Sequence, residues 1–472
     1  MTTRINTNVS SLLAQNVLGR TNADLQTSLT RLSTGLRINA GKDDPAGLIA
    51  SESLRRDITA INKAITNSER ASQLIATADS ALGQISSILN DVRGLVTEAA
   101  NEGVLSTEQI EANQLQIDAS LDAIDRISQV TTFQGRKLLD GSQDFIRDAD
   151  PSTVTNIDIF QANFGTASQI AVDVNIAAAA TQAQLTVGTG AFAPAGLDDD
   201  LVVQISGKDG AEVFTFEAGA SLDSIVAAID LVSDATGVDA TNNAGVLELD
   251  STAYGSAAFV AVEVISEGGS GTFATNLSGL RDAGTDIDAT VNGFTANGKG
   301  NTLSVNNSTL SLSATVTEGD STDFNFNITG GGATFQLGPQ VVSNQQVGIG
   351  IVSANTAKLG GAAGRLYELR SGQANDLATD TTGAAAIVDE VITKIASIRG
   401  RLGAFERTTL GSNIASLQDT LANITEAESS IRDADFAKET AALTRAQILS
   451  QSGLSVLSIA NSTPQNALAL LR

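Results

Sequence analysis

The side chains that could do chemistry in this chain are carboxylates and amines, because its 472 residues include no His and no Cys. Without imidazole or thiolate, the chain lacks the commonest general base, the strongest nucleophile and the usual ligands of transition metals. Carboxylates and lysines could still catalyse a reaction, so composition alone does not exclude an enzyme. We predict that the chain is not an enzyme and that it binds no cofactor and no metal.

One acidic cluster, Asp198-Asp199-Asp200, has the oxygen chemistry that Ca²⁺ prefers. Calcium sites need ligands spaced along a loop, and three consecutive residues do not supply that spacing. We therefore expect the three carboxylates to be solvated. A zinc peptidase site of the His-Glu-x-x-His type is excluded, because the chain has no His.

Negative charge is concentrated in the middle of the chain. The formal net charge is −25, of which residues 1–149 carry −4, residues 150–345 carry −20 and residues 346–472 carry −1. The only basic residues of the middle are Lys208, Arg281 and Lys299. Such a surface repels nucleic acid. It indicates a soluble, exposed domain that is flanked by two nearly neutral ends.

The beginning of the chain has no apolar segment of the kind that secretory signal peptides contain, so we expect no cleavable signal peptide. No run of 18 apolar residues predicts a membrane span, and we expect no membrane partner. The absence of Cys suits a chain that is exported unfolded, since stray disulfides would block its passage.

A strict seven-residue repeat over 54–99 is the strongest periodic signal, and it predicts a left-handed supercoil. Asp44 and Pro45 suit the N-cap and first position of the helix. From 45 to 100, this helix would be about 80 Å long, which predicts a rod. The two apolar seams contain Leu54, Ile61, Ser68, Ile75, Leu82, Leu89 and Val96, and Ile58, Ile65, Ser72, Ile85, Val92 and Ala99.

Further amphipathic helices are predicted at both ends of the chain. Near the N-terminus their apolar stripe contains Leu18, Leu25, Leu29, Leu32 and Leu36, and a third helix spans about 107–129. Near the C-terminus the stripe contains Val388, Val391, Ile395, Ile398, Leu402, Phe405, Leu417, Leu421, Ile424 and Ile431, followed by Leu449, Leu454, Leu457 and Ile459 in a last helix. We predict that the stripes of both ends form the rod core and the contacts of a polymer.

The middle has short β-branched and aromatic runs that are separated by Gly, Asp and Asn, which is typical of β-hairpins. One helix is predicted at 221–230. The predicted fold is therefore α + β and multi-domain, with an antiparallel helical coiled-coil rod built from both chain ends and an inserted β-rich outer domain. Periodicity alone also allows a coiled-coil adhesin whose acidic middle binds a ligand.

Several long motifs decide among these interpretations. Residues 31–49 (RLSTGLRINAGKDDPAGLI) resemble the N-terminal signature of bacterial flagellins, and residues 132–141 (TFQGRKLLDG) resemble the hairpin that follows their third helix. Residues 431–439, 446–451 and 464–472 resemble the C-terminal signature. In the middle, 183–266 is similar to a flagellin insertion repeat of hairpin, helix and hairpin, and 335–338 to the strand that returns to the helical domain.

The resemblance implies three domains and a function. Residues 1–43 and 432–472 would form an inner tube, 44–180 and 341–431 a helical rod, and 181–340 an acidic outer domain. The chain would be a secreted, extracellular structural subunit of the flagellar filament that assembles helically with copies of itself for swimming motility. A hook–filament junction protein, which has similar terminal helices, is the alternative.

The resemblance also implies partners. An export chaperone would bind the last helix through Leu449, Leu454, Leu457 and Ile459, and filament cap and hook-junction proteins would contact the polymer. An innate immune receptor recognises many flagellins on the rod helix, where this chain has Leu89, Asp91, Val92, Arg93 and Leu95, with Gln116 on the next helix. Asp91 stands where the family has a basic residue, so we predict weak receptor activation.

Overall fold

The computed structural model describes residues 7–101, 103–148, 151–192, 196–307 and 309–469. Residues 1–6 and 470–472 of the predicted terminal segments lie outside this part of the chain. The helices are α1 (Val9–Thr34), α2 (Pro45–Ala99), α3 (Thr107–Val130), α4 (Leu222–Asp230), α5 (Ser233–Thr236), α6 (Phe273–Asn276), α7 (Thr381–Ala404), α8 (Ser412–Arg432) and α9 (Phe436–Ala469). A π-helical turn, Phe405–Gly411, joins α7 to α8.

All strand pairs in the described residues are antiparallel. The strands of the first half are β1 (Thr132–Phe133), β2 (Arg136–Lys137), β3 (Phe145–Arg147), β4 (Val154–Ala162), β5 (Ile170–Ala178), β6 (Gln184–Val187), β7 (Leu201–Gly207), β8 (Ala211–Phe216), β9 (Val238–Asn243) and β10 (Val246–Ser251). Those of the second half are β11 (Phe259–Glu267), β12 (Arg281–Ala283), β13 (Asp288–Val291), β14 (Phe294–Thr295), β15 (Asn297–Lys299), β16 (Thr302–Asn306), β17 (Leu310–Val316), β18 (Phe324–Gly331), β19 (Ala333–Gln336) and β20 (Gln346–Ile349).

The starts of the two long N-terminal helices follow from their capping residues. The Asp44 carboxylate accepts a hydrogen bond from the amide of Gly47, and Pro45 is the first residue of α2. The Ser106 hydroxyl accepts from the amide of Gln109, whose side chain accepts in return from the Ser106 amide, which is a capping box. Both starts agree with the sequence prediction.

The described chain divides into two compact units. The terminal unit contains the described residues up to Glu69, Leu337–Gln340 and those from Leu410 onward. The central unit contains Arg70–Gln336 and Val341–Thr409. The sequence-based limits near 43, 180, 340 and 431 do not coincide with these boundaries, and they remain a prediction about the assembled subunit.

The β-rich part of the central unit has two hydrophobic cores. In the first core, the sheet β14-β13-β5-β18-β3 packs on the sheet β15-β16-β17-β4-β20-β19. In the second, the sheets β6-β10-β9 and β12-β11-β7-β8 enclose α4, whose Leu222, Ile225 and Ile229 are buried. The predicted hairpin, helix and hairpin of 183–266 correspond to β7–β8, α4 and β9–β10. The strands β4 and β5 share the first core with residues 287–328, although the sequence assigned them to the rod.

The predicted fold class is confirmed, since long helices at both ends flank a central β-rich region. The predicted hairpin at 132–141 is also present as β1–β2. Its two turn residues, Gln134 and Gly135, have φ values of 49° and 81°, and this left-handed pair is the geometry that two-residue hairpins require.

Candidate assembly surfaces

Helices α1 and α9 of the terminal unit pack together in antiparallel orientation. The side-chain amide of Asn8 donates to the carbonyl of Ala460 at 2.8 Å. At the other end of the pair, Arg31 Nη1 lies 2.9 Å from Glu439 Oε1. Glu439 is buried, and Arg31 is largely covered, so this ion pair fixes the register of the two helices better than an exposed pair would.

The fully buried residues of the interface between α1 and α9 are small or polar, and half-buried leucines such as Leu18, which lies against Gly453, flank them. The buried residues of α1 are Ser11, Thr21 and Ser28. On α9, Ala446 and Ala460 are buried beside Glu439. Small side chains allow two helices to approach closely, but they bury little apolar area. The pair therefore gains little hydrophobic stabilisation from its own contact.

Many large apolar residues of the same two helices are exposed. Leu12 is 61% exposed, Leu454 is 57% and Ile459 is 65%. The exposed set is Val9, Leu12, Leu13, Val17 and Leu29 on α1, and Phe436, Ile448, Leu449, Leu454, Val456 and Ile459 on α9. Soluble monomers rarely leave so many apolar side chains on one surface without an interaction partner.

The residues that the sequence assigned to polymer contacts fall partly on this surface. Leu29, Leu449, Leu454 and Ile459 are exposed, whereas Leu18, Leu25, Leu32, Leu36 and Leu457 are half-buried. The sequence prediction missed Val9, Leu12, Leu13 and Val17, as well as Phe436, Ile448 and Val456. Adjacent apolar pairs such as Leu12-Leu13 and Ile448-Leu449 could have indicated a second face, because neighbours on a helix point about 100° apart.

The residues assigned to the rod core are buried along most of α2 and along α7, and half-buried at the start of α2 and along α8. Ile61, Ile65, Ile75, Leu82, Leu89, Val92, Ile395, Ile398 and Leu402 are buried. Leu54 and Ile58 of α2, and Leu417, Leu421 and Ile424 of α8, are half-buried. No residue of α8 is fully buried, although the sequence predicts one continuous apolar stripe from α7 into α8.

Within the central unit, α2 and α7 are joined by polar contacts in antiparallel register. Arg93 Nε lies 2.7 Å from Asp389 Oδ1, and Arg399 Nε lies 2.8 Å from Asp79 Oδ1. The hydrogen bond to Asp79 raises the pKa of Arg399 above its ordinary value. These ion pairs lie beside the buried apolar residues of α2 and α7 and fix the register of the two helices.

Helix α3 holds the loop between β20 and α7 with one polar face. Gln114 donates to the carbonyl of Leu369 and accepts from the amide of Leu377. Asp118 and Asp125, placed one and about three turns further along, accept hydrogen bonds from other residues of this loop. The sequence prediction did not identify this polar face, because polar residues at helical spacing usually mark a solvated surface.

The connection between α1 and α2 pairs with the connection between α8 and α9. Leu36 and Asp433 form an isolated antiparallel bridge, and Arg37 donates its backbone amide to the carbonyl of Arg432 at 2.7 Å. Nearby, the amides of Ala40 and Asn39 donate to the Asp43 carboxylate and lower its pKa. These residues belong to the two signature motifs, so the motifs meet in the folded terminal unit.

The stretch that the sequence linked to an immune receptor is only partly accessible. Leu89 and Val92 are buried, Leu95 is half-buried, and Arg93 is engaged with Asp389. Asp91 and Gln116 are exposed. Receptor recognition of this stretch remains a prediction.

The three aspartates that were considered for calcium serve as loop anchors. Asp198 accepts a hydrogen bond from the Thr272 hydroxyl, Asp199 from the amide of Ser270, and Asp200 from the amide of Ala218. Asp198 and Asp200 are exposed and Asp199 is half-buried, so these carboxylates are accessible to solvent as expected, and each one also binds a different neighbour. Among the described residues, no group of three or more acidic side chains is arranged to hold a metal ion. None of the described helices combines the length and apolar character needed to cross a bilayer.

Comparisons with known families match both ends and the middle. Residues 5–144 match the model of the bacterial flagellin N-terminal helical region, and residues 385–471 match that of the C-terminal helical region. Residues 203–253 match the flagellin hook IN motif, which covers most of the predicted insertion repeat.

Relatives are similar over the whole length. A flagellin of Salmonella muenchen is 29% identical over 526 aligned residues, covering 99% of this chain and 99% of the relative. Flagellin D of Vibrio cholerae is 29% identical over 479 aligned residues, covering 100% of both chains. Among solved structures, the flagellar hook associated protein-3 of Legionella pneumophila is 12% identical, covering 80% of this chain and 98% of that chain. Its TM-score of 0.30 is too low to support a conclusion.

Because the full-length relatives are flagellins, the alternative of a hook–filament junction protein is not favoured. The family models at the two ends, the hook IN motif between them and the full-length relatives agree with one another. The chain belongs to the bacterial flagellin family, whose members are structural subunits of the flagellar filament.

Proposed function

We propose that this flagellin is secreted and polymerises outside the cell into a helical filament through the exposed apolar faces of α1 and α9, and that the filament serves swimming motility. The observation that carries the proposal is which residues of these helices are buried and which are exposed. Apart from Glu439, the fully buried residues between them are Ser, Thr and Ala, while Leu12, Leu454 and Ile459 are exposed.

Burial between copies supplies the driving force. Fully burying one Leu or Ile side chain contributes roughly 1.5–3 kcal/mol, so a handful of such residues outweighs the entropy lost on association. Contacts of this kind that repeat head to tail without closing a ring produce a helical polymer. The residues proposed for these contacts are those of the exposed set on α1 and α9, together with the half-buried Leu18, Leu25, Leu32, Leu36 and Leu457.

Assembly is coupled to ordering of the terminal segments. Fixing a residue in a helix costs about 1–2 kcal/mol of backbone entropy, and the small interface between α1 and α9 offsets little of that cost. Segments 1–43 and 432–472 are therefore largely disordered in the free subunit and become helical beside their neighbours. This dependence hinders premature polymerisation, because isolated subunits lack the ordered contact surface.

Other partners follow from membership of the family. An export chaperone binds α9 before assembly through Leu449, Leu454, Leu457 and Ile459, in the manner of an amphipathic helix in a groove. Filament cap and hook-junction proteins contact the ends of the polymer. The innate immune receptor binds weakly, because the exposed Asp91 reverses the charge of the basic residue that the family has there.

The receptor proposal predicts that Asp91→Arg raises activation of a reporter cell line by the monomer about tenfold or more, since it restores a bidentate donor. The matched control is Asn90→Arg, one residue away on the same exposed part of α2. An unchanged response to Asp91→Arg, or an equal rise with the control, would contradict the proposal.

Seeded polymerisation tests the function itself. Purified wild-type monomer should elongate filament seeds, whereas a double variant, Leu449→Ser with Leu454→Ser, should fail to join them. Leu231→Ser is the matched control, because Leu231 is 81% exposed in the central unit and should not affect elongation. A wild-type protein that stays monomeric on seeds, or a double variant that elongates normally, would refute the proposal.

A further inference from the structure

A groove in the central unit runs between α7 and the outer face of β4, β16 and β17. It consists of two cavities of about 600 and 440 Å³. Both cavities are lined by Phe160, Ile398 and Arg401, so they adjoin at these residues. Hydroxyls of the sheet, such as those of Ser311 and Ser313, line the opposite wall.

Arg401 is the cation at the junction of the two cavities. Its guanidinium carbon lies 3.2 Å from the centroid of the Phe160 ring, which is a cation–π contact. Desolvation by the groove walls lowers the pKa of Arg401 below its ordinary value. No described residue forms a hydrogen bond with the guanidinium. The contact with Phe160 restrains the exposed Arg401 side chain, and its N–H donors remain free for a ligand.

The other charged groups of the groove already have partners. Lys394 Nζ lies 3.3 Å from Asp158 Oδ2 and 3.2 Å from the carbonyl of Gly360. The Glu390 carboxylate accepts from the amides of Ala362 and Ala363 at 2.9 Å each. Asp389, the remaining acid, is paired with Arg93 of α2. Of the described charged groups that line the groove, Arg401 is the one whose side chain forms no hydrogen bond, although the charge of Asp158 attracts it.

We propose that this groove binds a carboxylate side chain of a second copy of the chain, with Arg401 as its bidentate donor. The inference rests on the proposed polymerisation. A guanidinium is a planar group with two parallel N–H donors, and a carboxylate matches this fork. Charge complementarity favours another copy as the source, because residues 150–345 carry 23 acidic and only three basic residues. A cation whose N–H donors form no hydrogen bond can give a specific attraction between copies that otherwise repel each other.

The first experiment examines the monomer and does not depend on polymerisation. Arginine labelled with ¹⁵N reports the Nε–Hε resonance of Arg401, which is assigned by its loss in Arg401→Lys. Sodium N-acetylglutamate should shift this resonance saturably, whereas sodium chloride at equal ionic strength should not. A shift of Arg401 no larger than that of the exposed Arg407 on the following π-helical turn would overturn the site.

The second experiment measures the critical concentration for seeded polymerisation. Arg401→Gln should raise it about three- to tenfold, the range expected from losing one charge-assisted contact. Arg401→Lys should restore only part of the loss, because an ammonium lacks the fork. Lys208→Gln, which removes an exposed charge of the second core, should have no such effect.

The two experiments separate the two proposals. A saturable shift in a wild-type protein that does not polymerise would support the carboxylate site and refute the proposed function. A saturable shift with normal polymerisation of Arg401→Gln would refute a second copy as the occupant. If Arg401→Lys restored the wild-type critical concentration fully, a single positive charge would be sufficient at this site. That result would overturn the bidentate geometry.

Discussion

At the scale of single residues, carboxylates fasten the loops of this cysteine-free protein. Asp286 accepts hydrogen bonds from the Ser256 hydroxyl and from the backbone amides of Ser256 and Gly300. The hydroxyl of Ser256 and the amide of Gly300 lower the pKa of Asp286 below 3.8. One ionised side chain thus joins three separate segments of the β-rich region. Other aspartates, including Asp199 and Asp320, have lowered pKa values for the same reason.

This arrangement predicts how stability depends on pH. Because the pKa of Asp286 is lower in the folded protein than in the unfolded chain, its stabilisation is present above about pH 4 and is lost as the pH falls through the lowered pKa. Asp286→Asn should lower the free energy of unfolding at pH 7 by on the order of 1 kcal/mol. The difference between the two proteins in urea denaturation should shrink when the measurement is repeated at pH 3. A difference that is constant with pH would contradict this role for the ionised carboxylate.

At the scale of elements, identical residue types have opposite roles in different helices. Ile395 of α7 is fully buried in the central unit, while Ile448 of α9 is 59% exposed. The same type of side chain is therefore packed in the core of the subunit in one helix and exposed to solvent in the other. This contrast supports the proposed division between helices that build the subunit and helices that join subunits.

A pair of matched substitutions tests that division. Ile395→Ala should lower the free energy of unfolding of the central unit by about 2–5 kcal/mol, because it leaves a cavity in a packed seam. Ile448→Ala should change it by less than about 0.5 kcal/mol, and should instead raise the critical concentration for polymerisation. Denaturant unfolding and seeded elongation measure the two quantities. Normal polymerisation of Ile448→Ala would show that the face of α9 that contains Ile448 does not contact neighbouring subunits.

The sequence predicts these elements to different degrees. The heptads of α2 and the cap at Asp44 act locally, so periodicity and capping chemistry reveal them, and the insertion repeat is recognised by its resemblance to the family. The polar face of α3 that holds the loop near Leu369 depends on residues more than 200 positions apart, which no local pattern records. Arg401 could not be identified from a local pattern either, because its contact is with Phe160 on a strand that is distant in the sequence. Of the candidate assembly residues, periodicity identified one stripe per terminal helix but missed the second face that contains Leu12 and Ile448.

At the scale of the whole molecule, the proposed assembly sets hydrophobic burial against electrostatic repulsion. Each subunit carries a formal charge of −25, concentrated in the β-rich middle. Repulsion between acidic surfaces keeps free subunits dispersed, and salt screens it over roughly 8–10 Å at physiological ionic strength. The terminal helices, which are nearly neutral, supply the attraction.

The balance predicts that added salt promotes polymerisation. Raising sodium chloride from 20 to 150 mM (concentrations chosen to span roughly 20 to 8 Å of Debye length) should lower the critical concentration of the wild-type protein several-fold. Replacing four exposed acids of the middle by Asn or Gln should weaken this dependence, because less repulsion remains to be screened. A critical concentration that rises with salt would indicate that attraction between charges, and not burial, dominates assembly.

The central claim is that α1 and α9 obtain their stability from neighbouring copies. Hydrogen exchange of the backbone amides of α9, followed by mass spectrometry on monomer and filament under the same buffer, tests it most directly. We expect these amides to exchange within seconds in the monomer and to be protected by several orders of magnitude in the filament, while the buried seam of α2 is protected in both. Equal protection of α9 in the two states would contradict the account.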